Sequence, residues 1–217
     1  MKKYIARTAL VLVATAILFS CKKDSPKDYT ASVAETTWWG KFAYAGKSSQ
    51  YYSVHFAANG SFTWSEMAGD LTGHWTVDGR HLSITLGATG KEIKAEISED
   101  GKLNNIENNS ANGYTIASGE LIANPNTSSL DNTLWKGSYT TGPGVGMTTA
   151  VNFRFLPALK FQMEFVSVTL SPYAYTRSAS GVVIRGPYYI FGVVISETEM
   201  KGTDSANLYD WQLTKNP

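Results

Sequence analysis

An all-β fold follows from this sequence: an antiparallel up-and-down barrel architecture in two sequence-related copies. Three observations predict it. Short runs that alternate apolar and polar residues fill the chain after residue 36, and no segment keeps a helical period. Turn signals such as Asn59-Gly60 and Asp78-Gly79 separate those runs. The pattern of the first half then returns in the second, a periodicity that has to be found before a fold is chosen. Composition agrees, with 6 Trp, 12 Tyr, 9 Phe and 19 Gly among 217 residues, a balance that suits twisted strands and tight turns.

The chain opens with a cationic stretch, Lys2, Lys3 and Arg7, followed by an uncharged run from Thr8 to Phe19. That run is shorter than the roughly 20 apolar residues needed to span a bilayer. A basic flank before a short apolar core is the pattern of a secretory signal, assigned to residues 1–20. It ends Leu18-Phe19-Ser20-Cys21, which resembles the lipobox of bacterial lipoproteins, although Phe19 departs from the usual residue at its position. The resemblance implies that Cys21 becomes the mature N-terminus, carries a diacylglycerol thioether and takes a further acyl chain such as palmitate on its amine. Each buried methylene contributes about 0.8 kcal/mol, so two or three chains anchor where one only dwells. Cys21 is the single cysteine, so no disulfide framework is available to the exported domain. Residues 21–35, polar and with one proline, read as a flexible tether.

Copy 1 covers residues 36–122, with strands expected near 38–44, 51–57, 61–66, 70–77, 80–86, 91–98, 102–107 and 113–122. Eight antiparallel strands are enough to close a small barrel. In residues 51–66 a three-residue loop with Gly60 left-handed pairs Phe56 with Phe62 and Val54 with Trp64, keeping apolar residues together. In residues 71–86 a two-residue Asp78-Gly79 loop sets Val77 against Arg80, Trp75 against Leu82 and Gly73 against Ile84. Leu71, Trp75, Val77, Leu82, Ile84 and Leu86 then share one face. His55, His74 and His81 fall on polar faces, too far apart to converge on a metal that needs three ligands about 2 Å away. No metal and no cofactor are expected.

Residues 123–132 have loop composition and divide the copies. Copy 2 covers residues 133–217. Trp38, Gly40, Phe42, Val54, Phe56, Phe62 and Trp64 recur 97 positions later as Trp135, Gly137, Tyr139, Val151, Phe153, Leu159 and Phe161, and the Asn59-Gly60 turn becomes Leu156-Pro157. Gly73 then matches Gly181, and Leu82 and Ile84 match Tyr189 and Phe191, which places an insertion around "VTLSPYAYTRS". The order W-x-G, V-x-F, N-G-S-F, G-x-W-x-x-D-G-x-x-L-x-I resembles the lipocalin-like domains of small Gram-negative lipoproteins. The resemblance covers most of residues 36–122 and, more weakly, 133–214. It implies an up-and-down barrel that binds apolar molecules, and it supplies no catalytic residues.

Several chemistries are excluded. The net charge of +1 and the lack of a basic stripe argue against a nucleic-acid partner. Gly40–Ser48 (GKFAYAGKS) misses phosphate-loop spacing by one residue and has no helix after it. Gly142–Met147 (GPGVGM) lacks the strand-then-helix setting of a dinucleotide site. No carboxylate pair is placed as acid and base. The expectation is a non-enzymatic, outer-membrane lipid-anchored envelope protein, on a membrane side the sequence does not specify. It would capture a small apolar or amphipathic ligand, with Trp64, Trp75, Leu82 and Ile84 as candidate lining or simply as core. The alternative is a surface module for glycan or protein using Tyr173, Tyr175, Tyr188 and Tyr189, which would otherwise cap one barrel end. Loop tyrosines give large contact area at low entropy cost.

Overall fold

Strands β1 (Thr36–Tyr44), β2 (Gln50–Phe56) and β3 (Ser61–Glu66) begin the first sheet. Phe56 pairs with Phe62 and Val54 with Trp64, as the three-residue loop requires. Gly60 sits at φ +80° and Ala57 N–H donates to Ser61 O at 2.9 Å. The structure is a computed structural model and describes residues 29–87, 89–107, 113–125, 128–140, 148–186, 189–205 and 210–217. The signal at 1–20, Cys21, most of the tether, the Gly142–Met147 segment and Tyr188 lie outside the described residues.

The sheet continues through β4 (Gly69–Asp78), β5 (His81–Leu86), β6 (Glu92–Ile97), β7 (Leu103–Glu107), β8 (Tyr114–Ile116) and β9 (Glu120–Leu121). Neighbours in sequence are neighbours in space from β7 back to β1, and β8 and β9 both pair with β1. The β7 edge approaches β9 through one bridge, Lys102 to Glu120, with Leu103 N–H donating to Gly119 O and Leu121 N–H to Gly101 O, each at 2.8 Å. The first barrel is therefore closed at one seam by a few bonds rather than by a full ladder.

The β4–β5 hairpin corrects one expected register. Val77 pairs with Leu82, Trp75 with Ile84 and Gly73 with Leu86, so the loop is Gly79-Arg80. Gly79 alone has positive φ, +58°, and glycine at the first loop position suits a type II′ turn. Arg80 is drawn into the loop by the next strand: its Nε donates to Ile97 O at 3.0 Å and its guanidinium lies 5.7 Å over the Tyr29 ring. The shift is by two in partner number, so every residue keeps its face. Trp75, Leu82, Ile84 and Leu86 are buried, while Leu71 lies exposed on the lip.

The second sheet comprises β10 (Thr133–Thr140), β11 (Thr148–Leu156), β12 (Lys160–Phe165), β13 (Tyr173–Ser178), β14 (Gly181–Arg185), β15 (Tyr189–Val194), β16 (Glu199–Asp204) and β17 (Asp210–Lys215). It is a closed antiparallel barrel in sequence order, β17 returning to β10. The two copies thus form two barrels, not one pooled sheet.

Pairing corrects the expected correspondence between copies. Trp38 pairs with Val54, but Trp135 pairs with Phe153, so the spacing of 97 holds for the first strand and grows by two for the next two. Phe56 and Phe62 correspond to Phe155 and Phe161. The turn equivalent to Asn59-Gly60 is Pro157-Ala158-Leu159, where Leu159 takes the left-handed place of Gly60 at φ +56°. Trp75 and Ile84 correspond to Tyr175 and Ile184, each a facing pair, and Leu82 to Val182. Gly181 is the start of β14 and not the partner of Gly73. The offset between copies rises only from 99 (Phe62 to Phe161) to 100 (Trp75 to Tyr175), so the insertion expected here is a single residue, and Tyr173 and Tyr175 belong to a regular strand. Apolar residues of similar size on one face let several alignments look equally good, and only hydrogen-bonded pairing separates them.

A four-residue helical turn, α1 (Thr30–Val33), covers one end of the first barrel, with Val33 fully buried in its core. The barrels pack against each other through Tyr51, Met67, Ile122, Val183, Phe191 and Val193, with Trp39 and Ile195 at the margin. Strand β2 is buried on both faces: Tyr52, Val54 and Phe56 point into the first barrel, Tyr51 toward the second. A side chain on Gly181 would meet Ser53 Oγ at 2.9 Å and Ser65 Cβ at 3.0 Å, which shows how closely the two sheets approach. Lys41 pairs with Asp210 across this junction, and Lys201 Nζ lies 5.2 Å over the Trp39 ring.

Candidate functional site

The first barrel is plugged at the α1 end and open at the other. The open end is formed where β1 and β3 finish, where β4 and β6 begin, and where Tyr114 starts β8. It holds a cavity of about 360 Å³, at the small end of the roughly 300–1,000 Å³ typical of small-molecule sites. Phe42, Trp64, Leu86 and Ile93 supply its apolar wall, and Tyr44, Glu66, Asp70, Leu71, Lys91 and Tyr114 reach it near the mouth.

The second barrel is filled where the first is open. In β17, Trp211 stands opposite Tyr139, the place that Ile116 takes opposite Phe42. Glycines make room for that indole: a Cβ on Gly202 would overlap the Trp211 ring, and one on Gly192 would lie 2.5 Å from it. Phe153 packs against Trp211 with ring centroids 4.7 Å apart. Isoleucine in place of tryptophan leaves space in copy 1.

The aromatic wall is ordered by mutual packing. Trp64 stacks on Tyr52 with centroids 3.9 Å apart and planes within 3°. Phe42 meets Trp64 edge-on at 5.6 Å and Tyr44 at 5.3 Å. Tyr52 is held in turn by donating to Ser118 O at 2.9 Å. These contacts fix the rings in the cavity without a backbone loop.

A buried acidic group stands in this setting. Glu66, at the end of β3, is 1% exposed. It accepts the Tyr44 hydroxyl and, at 3.2 Å, the Gln50 amide. Burial pushes its carboxyl above the ordinary 4.5, and the Tyr44 hydrogen bond offsets part of that rise. Tyr44 is itself raised, by burial first and by Glu66 second. The Tyr114 hydroxyl is buried beside them with no hydrogen-bond partner among the described residues, and burial raises its pKa as well. Leaving such a hydroxyl unpaired costs about 1–3 kcal/mol, a cost that a ligand could remove.

Of the expected lining residues, Trp64 borders the cavity, whereas Trp75, Leu82 and Ile84 are core residues further down the barrel. Trp75 stacks edge-on against Phe56 at 5.6 Å and donates to Ala57 O. Tyr173, Tyr175 and Tyr189, the described members of the expected tyrosine set, do not form one rim. Tyr175 is buried in the second core, where it packs on Phe155 at 5.1 Å and donates to Asp131 at 3.1 Å. Burial, then Asp131, pushes its pKa up to about 12. Tyr173 packs against that core and against Gly186. Tyr189 is 52% exposed. It borders a groove of about 620 Å³ between the barrels, together with Tyr44, Lys47, Gln50, Arg185 and Ser205.

Phe42, Glu66 and Tyr114 were not singled out from sequence. A carboxylate closing the Ser61–Glu66 strand reads as an ordinary polar end, and only the fold shows it buried. No group of His, Cys, Asp and Glu suited to a metal occurs among the described residues. Among them also, no helix is long and apolar enough to cross a membrane. No family model, curated protein or solved structure matches the chain.

Proposed function

We propose that this is a non-catalytic, lipid-anchored envelope protein of the outer membrane that captures a small apolar or amphipathic molecule in its first barrel. The observation that carries the reading is the asymmetry of that barrel. One end is sealed by Val33 and α1, and the other opens into an aromatic cavity with a few convergent polar groups. A largely apolar concavity with sparse polar groups is what small-molecule sites require. The likeness of its turn and core motifs to lipocalin-like lipoprotein domains points the same way. Cys21 supplies the anchor, and the tether after it enters the fold at the sealed end, where Tyr29 and α1 lie.

Native mass spectrometry of the chain lacking residues 1–21 tests capture. A bound apolar species that disappears in a Trp64→Ala variant supports it, and an empty protein after exposure to envelope lipid extract contradicts it. Anchoring is tested apart: Cys21→Ser should move the protein from the membrane to the soluble fraction, and a variant that stays membrane-bound contradicts the lipid anchor.

A second reading rests on Tyr189 and the groove between the barrels, where an exposed aromatic lies beside Lys47, Arg185 and Ser205. That mixture suits a glycan. Binding on a glycan array that is lost in Tyr189→Ala, with the cavity empty, would favour it over capture.

A further inference from the structure

We infer that the first barrel selects an organic ammonium ion on an apolar body, held by Glu66 among the rings of Phe42, Tyr44, Trp64 and Tyr114. This rests on the capture reading and names the ligand class for the same cavity.

Glu66 has only neutral hydrogen-bond partners among the described residues, the Tyr44 hydroxyl and the Gln50 amide. Among the described residues no lysine, arginine or histidine forms an ion pair with it, although it is almost wholly removed from water. A carboxylate has about four acceptor sites, and two are used here. A desolvated carboxylate is costly unless it is paired, and a ligand cation would pair it. Burial raises its pKa, offset in part by the Tyr44 hydrogen bond, and a ligand cation beside it would favour the charged form.

The aromatic wall adds the second half. Ring faces carry negative charge density and attract a desolvated cation. Trp64 is covered on one face by Tyr52, and Phe42 sits between Trp64 and Tyr44. The Tyr114 hydroxyl, without a partner among the described residues, gives a further acceptor for an ammonium N–H. Near the mouth the charged groups are Asp70 and Lys91, so the lining carries two carboxyl groups against one ammonium. An anionic headgroup would have to enter beside Glu66, which penalises carboxylates and phosphates.

The test uses the full chain in lipid nanodiscs, titrated calorimetrically with hexylamine, hexanol and hexanoate, with empty discs subtracted. These probes share an apolar body and differ in charge. Hexylamine should bind roughly tenfold more tightly than hexanol, with hexanoate weakest. In Glu66→Gln the advantage of the amine over the alcohol should vanish. Hexanol binding as tightly as hexylamine in the unmodified protein overturns the ammonium assignment and leaves capture standing. An advantage that persists in Glu66→Gln also overturns it. Failure of all three probes sinks both readings. The comparison of amine and alcohol needs no variant, so poor folding of Glu66→Gln would not blunt it.

Discussion

Trp38 and Trp135 occupy the same place in their barrels and are held by the same device: each indole Nε1 donates at 2.9 Å to a threonine hydroxyl two residues earlier, Thr36 or Thr133. That hydroxyl donates in turn to the carbonyl of Val33 or Leu130, a buried apolar residue that enters the barrel from the preceding segment. A side chain thus ties the first strand to the residue that seals the end. The device recurs at constant spacing, which makes it the firmest evidence that the two halves share one plan.

Removing the hydroxyl should weaken each barrel by a similar amount. Thr36→Val and Thr133→Val each delete one donor and leave an indole N–H without its acceptor. The expected loss is about 1–3 kcal/mol, the range for a buried group left unsatisfied. The sites lie in different cores, so the double variant should show the sum. Urea midpoints of the four proteins check this, and a Thr133→Val that unfolds as the unmodified protein does would refute the shared device.

Glu66 should impose a pH dependence on stability. Its folded pKa is raised above the unfolded value, so the folded state binds the proton more tightly. The stabilisation is complete below the unfolded value near 4.5 and is lost as pH rises through the folded value. Urea stability should therefore fall as pH climbs from about 4.5 toward neutrality. Glu66→Gln should flatten that limb and be at least as stable as the unmodified protein at pH 7. If both proteins fall together, other groups carry the limb.

Much of this architecture could be read from residues alone. The first seven strand positions in copy 1, the Phe56–Phe62 register and the polar placement of the three histidines follow from period-two patterning, because a one-residue slip would expose the core, whereas the single strand expected near 113–122 is split into β8 and β9. The Gly79-Arg80 turn was not legible, because what draws Arg80 into it is Ile97 and Tyr29, which are distant in sequence. The junction between barrels left a signal of another kind. Val182-Val183-Ile184 and Ile190 to Ile195 do not alternate, as expected of strands buried on both faces, and Gly192 only makes room for Trp211. The cavity itself depends on Ile116 standing where copy 2 has Trp211, a difference that emerges only once the strands are paired.

The filled barrel should be intolerant of small additions. Gly202→Ala places a methyl group into the Trp211 ring and against Phe191 O. Overpacking of this kind costs about 1–3 kcal/mol and more where backbone must move. Trp211→Phe should recover part of that loss in the double variant, because the two residues contend for one volume. Thermal unfolding of the single and double variants gives the coupling; strict additivity would show that the clash is relieved elsewhere.

The two barrels should unfold as one unit because of apolar contact, not because of the Lys41–Asp210 pair. Both charged side chains are partly exposed, 31% and 42%, so Lys41→Met should change stability by about 0–1 kcal/mol. Phe191 is fully buried in the junction, and Phe191→Ala should cost about 3–5 kcal/mol. Gly181→Leu acts without deleting anything: its side chain must displace Ser53 and Ser65 of the first barrel, so it should loosen docking while both cores stay intact. Calorimetry should then show one transition for the unmodified protein and Lys41→Met, and two for Gly181→Leu. Faster hydrogen exchange should be confined to amides of β2, β3, β14, β15 and β16, the strands that meet at the junction. A single transition in Gly181→Leu with unchanged exchange at Ser53 would mean that the barrels do not depend on this contact.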